Sequence, residues 1–314
     1  MKYFFLLLFV WSFAAKAQDS IQLKFSYGIT KEELSKHLNV LASDKYEGRE
    51  TGKNGQKMAA EYIATYFSSN NIPAGNNNDY YQKFPLTIQY PEGVELFINS
   101  KKYEFLEDYY YYRGFQDTNL TSSEIVFAGF GIQDSLYNDY DGLDVKGKTV
   151  IIIEGEPMNK GKSIITGTDS ISYWGKSTRH KRKVAKDNGV GVLLIVQSDI
   201  KGNIEKYNHY ITAPSMELDV EDSARYKRLV NFYISEKIAN HILGDEQTIA
   251  ALREKINKKG KPLKVSTKGT LYVKMDRIIE KATSENVLGF IEGSDKKDEV
   301  IILTAHYDHI GVDE

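Results

Sequence analysis

The sequence predicts an α/β protein, in which helices and strands follow one another along the chain. Three observations support this class. Capped segments with apolar residues at helical spacing lie near the N-terminus, short apolar runs between glycines follow from Thr118, and an apolar run closes the chain. A capping residue before helical spacing marks a helix start, whereas a short β-branched run between turn residues marks a strand. Their alternation is typical of α/β folds.

Two helices are predicted before the first strand. In the run TKEELSKHLNVLASD, Thr30 is the expected N-cap and Glu33 completes a capping box. The leucines of this run fall on one helical face: Leu34, Leu38 and Leu41. The run QKMAAEYIATYFSSNN predicts the second helix, and Asn70, Asn71 and Pro73 are expected to end it.

Strands are predicted through the rest of the chain. The run YYQKFPLTIQY predicts a strand interrupted at Pro85, because proline cannot donate to a strand ladder. Further strands are predicted in EIVFAGFGI, KTVIIIEGEP and GVGVLLIV, with STRHKRKVAKDN forming a helix that ends at Gly189. TLYVKMDRIIEKATSENVLGFIEG predicts strands separated by turns. Residues 298–305 are expected to form the last strand, covered on both faces.

The composition limits the partners that the protein can have. With 41 basic and 43 acidic residues, the chain lacks the excess of positive charge that marks a nucleic-acid-binding surface. A peptide or small protein partner fits this balance better. The chain has no cysteine, which excludes disulfides and thiolate metal sites. Any metal must therefore be held by His, Asp and Glu.

The first 17 residues have the pattern of a secretory signal peptide. Lys2 precedes an apolar stretch at 3–13, and Ala15 and Ala17 end the segment, which predicts cleavage after Ala17. The stretch is shorter than the roughly 20 residues that a bilayer core requires, so no stable membrane insertion is expected. The predicted location is secreted or periplasmic.

The motif AHYDH, at 305–309, holds the strongest candidate site residues. Residues two apart on a strand point to one face, so His306 and Asp308 would lie together at a sheet edge. One imidazole nitrogen can bind zinc while a carboxylate accepts a hydrogen bond from the other. On spacing alone, a hydrogen-bonded surface pair is favoured over a metal site.

The neighbouring polar residues give weaker signals. His309 faces away from His306 on the strand alternation and is expected to support or pack rather than bind metal. An EF-hand register over the turn NDYDGLDVKGK would place Tyr137 and Lys148 at required acidic positions, which excludes it. The other histidines lack ligand spacing and are expected to be structural or exposed: His37, His180, His209 and His241.

The loop SDKYEGRETGKNG lies between the two predicted helices. Its glycines are expected to shape the turn, and Arg49 is expected to pair with a carboxylate. A catalytic role for Glu47 or Arg49 remains the alternative. The sequence of this loop therefore favours a structural role over a catalytic one.

Three segments together resemble the zinc-dependent exopeptidases of metallopeptidase family 28, which include bacterial leucyl aminopeptidases and glutamate-carboxypeptidase-like proteins. HLNVLASDKYEGRETGKNGQKMAAEYIATYF is similar to the N-terminal helix-loop-helix of that family, and SENVLGFIEGSDKKDEVIILTAHYDHIG to the start of its catalytic sheet. The segment EIVFAGFGI, with DYDGLDVKGKTVIIIEGEP, resembles an inserted protease-associated domain. The resemblance implies a three-layer αβα zinc-exopeptidase core with an α/β insertion.

The resemblance also implies roles for two residues. His306 would bind one zinc ion of a pair, and Asp308 would orient that histidine. In such enzymes the two zinc ions activate a water molecule, a glutamate takes its proton, and the resulting hydroxide attacks a peptide carbonyl. The further family ligands, a bridging Asp, a Glu-Glu pair and a final His, have no counterpart in this sequence. The chain is therefore expected to be interrupted within the catalytic domain and inactive alone.

The resemblance predicts four segments along the chain. They are a signal peptide at 1–17, an N-terminal peptidase part at 18–117, a protease-associated domain at 118–265 and the truncated start of the catalytic core at 266–314. The implied activity is that of an aminopeptidase acting on peptides. Two alternatives stay open: a non-catalytic binding or scaffold protein of the same fold, and a glutaminyl cyclase-like acyltransferase.

Overall fold

The computed structural model of the chain describes residues 20–112, 117–219, 229–244, 247–265, 267 and 269–312. Helices and sheets alternate along these residues, which confirms the predicted mixed α/β class. The chain divides into a central unit, Pro85–Ala282, and a flanking unit made of Met1–Phe84 and Thr283–Glu314. The domain boundaries at 118 and 265 stay a prediction. The predicted signal peptide lies outside the described residues.

The flanking unit begins with helices. These are α1 Ser20–Ser26, α2 Lys31–Leu41, a 3₁₀ helix Asp44–Arg49 and α3 Asn54–Ser69. Helix α2 begins as predicted, because the Thr30 hydroxyl accepts a hydrogen bond of 3.2 Å from the Glu33 amide. Helix α3 ends at Ser69 with Asn70 as its C-cap, as predicted. No described helix of the chain is long and apolar enough to cross a bilayer.

The buried part of the flanking unit is small and has a polar centre. Helix α3 buries three alanines, Ala59, Ala60 and Ala64, and the side chain of Gln56 beside them. Helix α2 buries no residue, and its Leu34 and Leu38 are 59% and 66% exposed. The hydrogen bonds of Gln56 therefore satisfy a polar group that would be costly to bury without partners.

The strands, in chain order, are β1 Tyr81–Ile98, β2 Lys101–Tyr103, β3 Tyr109–Tyr110, β4 Thr118–Ser122, β5 Ile125–Phe127, β6 Thr149–Ile153, β7 Met158–Asn159, β8 Lys162–Ser163, β9 Val192–Gln197, β10 Ser215–Leu218, β11 Val230–Ser235 and β12 Leu271–Val287. The helices of the central unit are α4 Tyr173–Lys176, α5 Thr178–Asp187, α6 Ile200–Thr212, α7 Glu236–Leu243 and α8 Ile249–Lys259.

Two strand predictions were wrong in the same way. Strand β1 continues through Pro85 instead of being interrupted there. The proline is tolerated because pairing with β10 begins at Leu86, and Pro85 contributes only its carbonyl, which accepts from the Asp219 amide at 3.0 Å. Strand β12 is likewise one strand rather than several separated by turns. In one sheet the order is β10-β1-β12-β4, with β2 paired to β1.

The second sheet of the central unit has helices on both faces. Its order is β3-β11-β9-β6-β5, with β3 antiparallel and the other four strands parallel. One face packs against α7 and α8, and the other against α5 and α6. Strands β6 and β9 are buried along their whole length, as expected for parallel strands covered on both sides.

A buried carboxylate stabilises the turn after β5. The Asp139 carboxylate accepts hydrogen bonds from the amides of Phe130 and Ile132, at 3.0 and 3.1 Å, and from the Tyr137 hydroxyl at 2.9 Å. Burial raises the pKa of Asp139 to about 6, although these hydrogen bonds oppose the change. The segment 129–139 is thus a turn held by one aspartate.

A buried lysine lies at the carboxyl end of β6. The ammonium of Lys181, on α5, donates to the carbonyls of Ile153 and Gly155, and its side chain has no exposed area. Burial lowers the pKa of Lys181 to about 8, against the opposing charges of Asp139, Glu154 and Glu156. Both charged groups are structural parts of the central unit.

The predicted last strand is absent. Residues 298–305 form neither helix nor strand, and the side chains of Val300, Ile301 and Leu303 are 72%, 90% and 93% exposed. An apolar run becomes a buried strand only when a neighbouring strand and a covering layer are present. Among the described residues, no strand pairs with this run.

Candidate functional site

The motif segment, AHYDHIG at 305–311, lies along the glycine loop, GRETG at 48–52. The His309 amide donates to the Arg49 carbonyl at 2.8 Å, and the Gly311 amide donates to the Gly48 carbonyl at 3.2 Å. Glu50 and His309 form a parallel β-bridge. The main chain on both sides of Asp308 is therefore fixed by segments more than two hundred residues away in sequence.

The glycine loop needs Gly48 for two reasons. Gly48 has a φ of +59°, and a Cβ atom built on it would lie 2.1 Å from the Gly311 carbonyl oxygen. Glu47 and Arg49 also have positive φ values, +48° and +56°. Backbone strain of this kind persists only where surrounding contacts fix it. Here the contacts are those with the motif segment.

Arg49 was expected to pair with a carboxylate, and this prediction was wrong. Its Nε donates to the Tyr307 carbonyl at 2.8 Å, and its Nη1 donates to the Leu41 carbonyl. A guanidinium has five N–H donors in a fixed fork, which suits neighbouring main-chain carbonyls as well as carboxylates. Arg49 thus joins the end of α2 to the motif segment, and it has a structural role.

Tyr307 points into the flanking unit. Its hydroxyl accepts from the Gln56 amide at 2.5 Å and donates to the Glu285 carbonyl at 2.6 Å. Burial and the negative charge of Glu285 raise the pKa of Tyr307 to about 12. The hydroxyl therefore stays protonated at neutral pH and joins α3, β12 and the motif segment.

Glu285 is a buried carboxylate that is fully paired. Its Oε1 accepts from the Gln56 amide at 3.0 Å, and its Oε2 lies 2.5 Å from the Lys57 ammonium. Lys57 also donates to the Thr283 carbonyl at 2.6 Å. A buried charge with an ionic partner and a further hydrogen bond avoids most of the cost of desolvation. Glu285 is therefore a buried, fixed residue that supports the motif segment through its contact with Tyr307.

His306 and Asp308 lie on the opposite side of the segment from Tyr307. The His306 side chain is 99% exposed, and its Nδ1 lies 3.8 Å from Oδ1 of Asp308. The other carboxylate oxygen, Oδ2, accepts a hydrogen bond of 2.6 Å from the Thr51 hydroxyl. The structure thus brings the two predicted site residues together. The His309 side chain is exposed.

A cavity of about 570 Å³ adjoins His306 within the flanking unit. Its walls are mainly apolar, from α2, α3 and the residues before the motif segment. Among the lining side chains are Leu38, Leu41, Ile63, Phe67 and Leu303. The imidazole of His306 therefore lies beside a concave apolar surface.

The described residues contain no group of three His, Asp or Glu side chains that could hold a metal ion. His306 fits one ligand position, because its imidazole is accessible and a carboxylate lies behind Nδ1. The described part of the chain supplies one such ligand where a catalytic zinc takes about three.

The remaining histidines that can be assigned a contact are structural. His37 bonds the Tyr62 hydroxyl through Nδ1 at 2.8 Å, and His241 bonds the Tyr103 hydroxyl at 2.9 Å. His180 packs against the rings of Tyr173 and Trp174. His209 is exposed.

Several residues of the site were not predicted from the sequence. They are Thr51, Gln56, Glu285 and Tyr307. One signal could have found Tyr307, because alternation places it opposite His306 and Asp308, with its apolar ring toward the interior. The partners of Tyr307 are distant in sequence and follow only from the fold.

Comparison with known proteins gives matches among solved structures only. No protein-family model matches the chain, and none of the curated proteins does. Sixty-three chains of solved structures match it. An aminopeptidase from Aneurinibacillus sp. strain AM-1 is 18% identical, with a TM-score of 0.38, over 86% of this chain and 50% of that chain.

Two further structures are similar at the same level. A zinc aminopeptidase from Bacillus subtilis is 14% identical, with a TM-score of 0.30, over 83% of this chain and 46% of that chain. A peptidase M28 precursor from Shewanella amazonensis SB2B is 17% identical, with a TM-score of 0.31, over 87% and 54%. The chain thus spans about half the length of these structures.

Proposed function

We propose that the protein is a secreted zinc-dependent exopeptidase of the metallopeptidase family 28 type, and that it removes N-terminal residues from peptides. The observation that supports the proposal is the pair of His306 and Asp308. An accessible imidazole lies 3.8 Å from a carboxylate, at the end of a segment fixed by main-chain hydrogen bonds. In metal-binding histidines a carboxylate faces the ring nitrogen that does not bind the metal, and here Asp308 lies on that side of the ring, at more than hydrogen-bonding distance.

The proposal assigns roles to residues of this chain. His306 would contribute one ligand to a zinc ion, and Asp308 would hold the orientation of the imidazole. Zinc, when bound, would polarise the peptide carbonyl and activate a water molecule. The apolar cavity beside His306 offers a surface for an apolar side chain of a peptide.

The ligand count sets an expectation for the 314-residue chain. One histidine and one supporting aspartate fall short of the about three protein ligands of a catalytic zinc. We therefore expect purified Met1–Glu314 protein to retain no zinc at micromolar metal and to leave aminoacyl arylamides intact. Stoichiometric zinc in that material, with activity lost in His306→Ala, would contradict this expectation.

A second candidate is a non-catalytic binding protein. It is favoured by the lack of a three-ligand group among the described residues. The test is to recover the native protein from the extracellular or periplasmic fraction, and to measure intact mass, zinc content and arylamide hydrolysis together. A mass well above the 35.7 kDa of this chain, with bound zinc and hydrolysis, supports the exopeptidase.

The opposite result supports the binding protein. A mass slightly below 35.7 kDa, reflecting removal of the signal peptide, with neither zinc nor hydrolysis, would rule out the exopeptidase. A substrate panel that includes N-terminal glutaminyl peptides separates hydrolysis from the glutaminyl cyclase-like alternative, because cyclisation releases ammonia and no amino acid.

A further inference from the structure

Thr51 makes a long-range contact with the predicted site. Its hydroxyl donates a hydrogen bond of 2.6 Å to Oδ2 of Asp308, although 257 residues separate the two in sequence. Thr51 lies in the glycine loop, two residues after Arg49, and is partly buried. This is a close contact between a hydroxyl donor and a carboxylate acceptor.

The main chain on either side of Asp308 is already fixed by other groups. The Arg49 guanidinium donates to the Tyr307 carbonyl, and the His309 amide donates to the Arg49 carbonyl, both at 2.8 Å. The Asp308 carboxylate can still rotate about its Cβ–Cγ bond, because this torsion is broad and roughly twofold. The hydrogen bond from the Thr51 hydroxyl restricts this rotation of the carboxylate.

The hydrogen bond from Thr51 leaves one carboxylate oxygen for His306. With Oδ2 occupied, Oδ1 faces the imidazole at 3.8 Å from Nδ1. At 3.8 Å this oxygen lies beyond hydrogen-bonding distance of Nδ1, but a carboxylate on that side of the ring attracts the N–H dipole and so favours the tautomer that has its proton on Nδ1. The other ring nitrogen, Nε2, then presents a lone pair to solvent.

We infer that Thr51 is a positioning residue, which orients Asp308 and thereby fixes the tautomer of His306. The inference rests on the proposed function in one respect, namely that the free Nε2 of His306 is the metal-binding atom. The effect of Thr51 on Asp308 and His306 exists without metal. It can therefore be tested separately from catalysis.

The test measures the His306 tautomer in the metal-free 314-residue chain. Protein labelled with ¹⁵N at histidine is examined by long-range ¹H–¹⁵N correlation at one pH where the imidazoles are neutral. The His306 signals are assigned by their loss in His306→Gln, and the exposed His209 is the internal reference. We expect His306 to favour the proton on Nδ1 more strongly than His209 does.

Three variants distinguish the effect of the Thr51 hydroxyl from other effects of a substitution. Thr51→Val should shift the His306 tautomer ratio toward that of His209 by roughly fivefold, which corresponds to about 1 kcal/mol. Thr51→Ser, which keeps the hydroxyl, should retain the wild-type ratio. Thr212→Val is the matched control, because the Thr212 hydroxyl also makes one hydrogen bond, of 2.8 Å, to the Asn208 carbonyl in the central unit.

Asp308→Asn provides a second test of the inference in case Thr51→Val does not fold. It keeps the size of the side chain, removes the charge, and should produce the same shift in tautomer. A wild-type ratio equal to that of His209, or a ratio unchanged in folded Thr51→Val, would overturn the inference. Absence of zinc or hydrolysis in the native protein would instead reject the proposed function and leave the tautomer result intact.

Discussion

The side-chain amide of Gln56 donates a hydrogen bond of 2.5 Å to the hydroxyl of Tyr307, which lies 251 residues further along the chain. Gln56 is completely buried among the alanines of α3. The same hydroxyl donates to the Glu285 carbonyl. One oxygen atom thus connects a helix, a strand and the segment that holds His306.

Tyr307→Phe should destabilise the flanking unit by about 1–3 kcal/mol. The ring would remain, but the Glu285 carbonyl would lose its donor, and the Gln56 amide would keep only its bond to the Glu285 carboxylate. Amide hydrogen exchange at His309 reports the loss locally and should become faster. Tyr27→Phe, at a side chain that is 77% exposed, is the control. Equal exchange rates in both variants would contradict the role of the hydroxyl.

Gly48→Ala should separate the glycine loop from the motif segment. A left-handed alanine costs about 1–2 kcal/mol at any position, and the clash with the Gly311 carbonyl adds roughly 1–3 kcal/mol. Gly147→Ala is the matched control, because Gly147 has a φ of +73° but no atom within 4 Å of a built Cβ. Urea unfolding with hydrogen exchange at Gly311 would measure both costs. Similar losses in the two variants would mean that the contact with Gly311 is unimportant.

Asp139→Asn should remove a pH dependence of stability. The folded pKa of Asp139, about 6, lies above its ordinary value of 3.8, so the folded state binds the proton more tightly. Its contribution to stability is complete below pH 3.8 and disappears as the pH rises through 6. Wild type should lose about 2 kcal/mol relative to Asp139→Asn between pH 4 and 7. Urea unfolding across this range measures the difference.

Asp139→Ala separates the charge from the hydrogen bonds. It leaves the amides of Phe130 and Ile132 without their acceptor, so it should be destabilising at every pH in that range. Asparagine can still accept from both amides through its oxygen. A constant difference between wild type and Asp139→Asn would show that the carboxylate is already ionised throughout.

Lys181→Met should reveal the opposite sign of pH dependence. The folded pKa of Lys181, about 8, lies below its ordinary value of 10.5, so the charged form is disfavoured by folding. The penalty is complete below pH 8 and disappears above 10.5. Wild type should therefore gain about 2 kcal/mol relative to Lys181→Met between pH 8 and 10.

The control for this prediction is Lys160→Met, at an exposed lysine. Guanidinium unfolding at pH 8, 9 and 10 gives the two difference curves. A wild-type curve that stays parallel to that of Lys181→Met would mean that Lys181 remains charged in the folded protein over this range.

The sequence predicts the features that depend on neighbouring residues. Thr30 caps α2, and α5 ends before Gly189, because capping involves residues only a few positions apart. Residues 298–305 were predicted as a strand from their apolar character alone, yet a strand also needs a partner, and none of the described strands provides one. An apolar pattern and a partner strand are two separate requirements for a buried strand.

The predicted site also combines features that follow from neighbouring residues with features that depend on distant contacts. The identity of His306 and Asp308 followed from a motif, and the structure places the two together. The partners of Arg49 were predicted incorrectly, because carbonyls of Tyr307 and Leu41 leave no trace in composition or spacing. The role of Thr51 depends on a contact between opposite ends of the chain.

The separation of Gln56 from Tyr307 also determines when the flanking unit can fold. A ribosome adds about 5–20 residues per second, so the 251 residues between them take roughly 10–50 s to synthesise. During this interval the Gln56 amide lacks the two partners that it has in the folded protein. The first helices made are therefore among the last to reach their final packing.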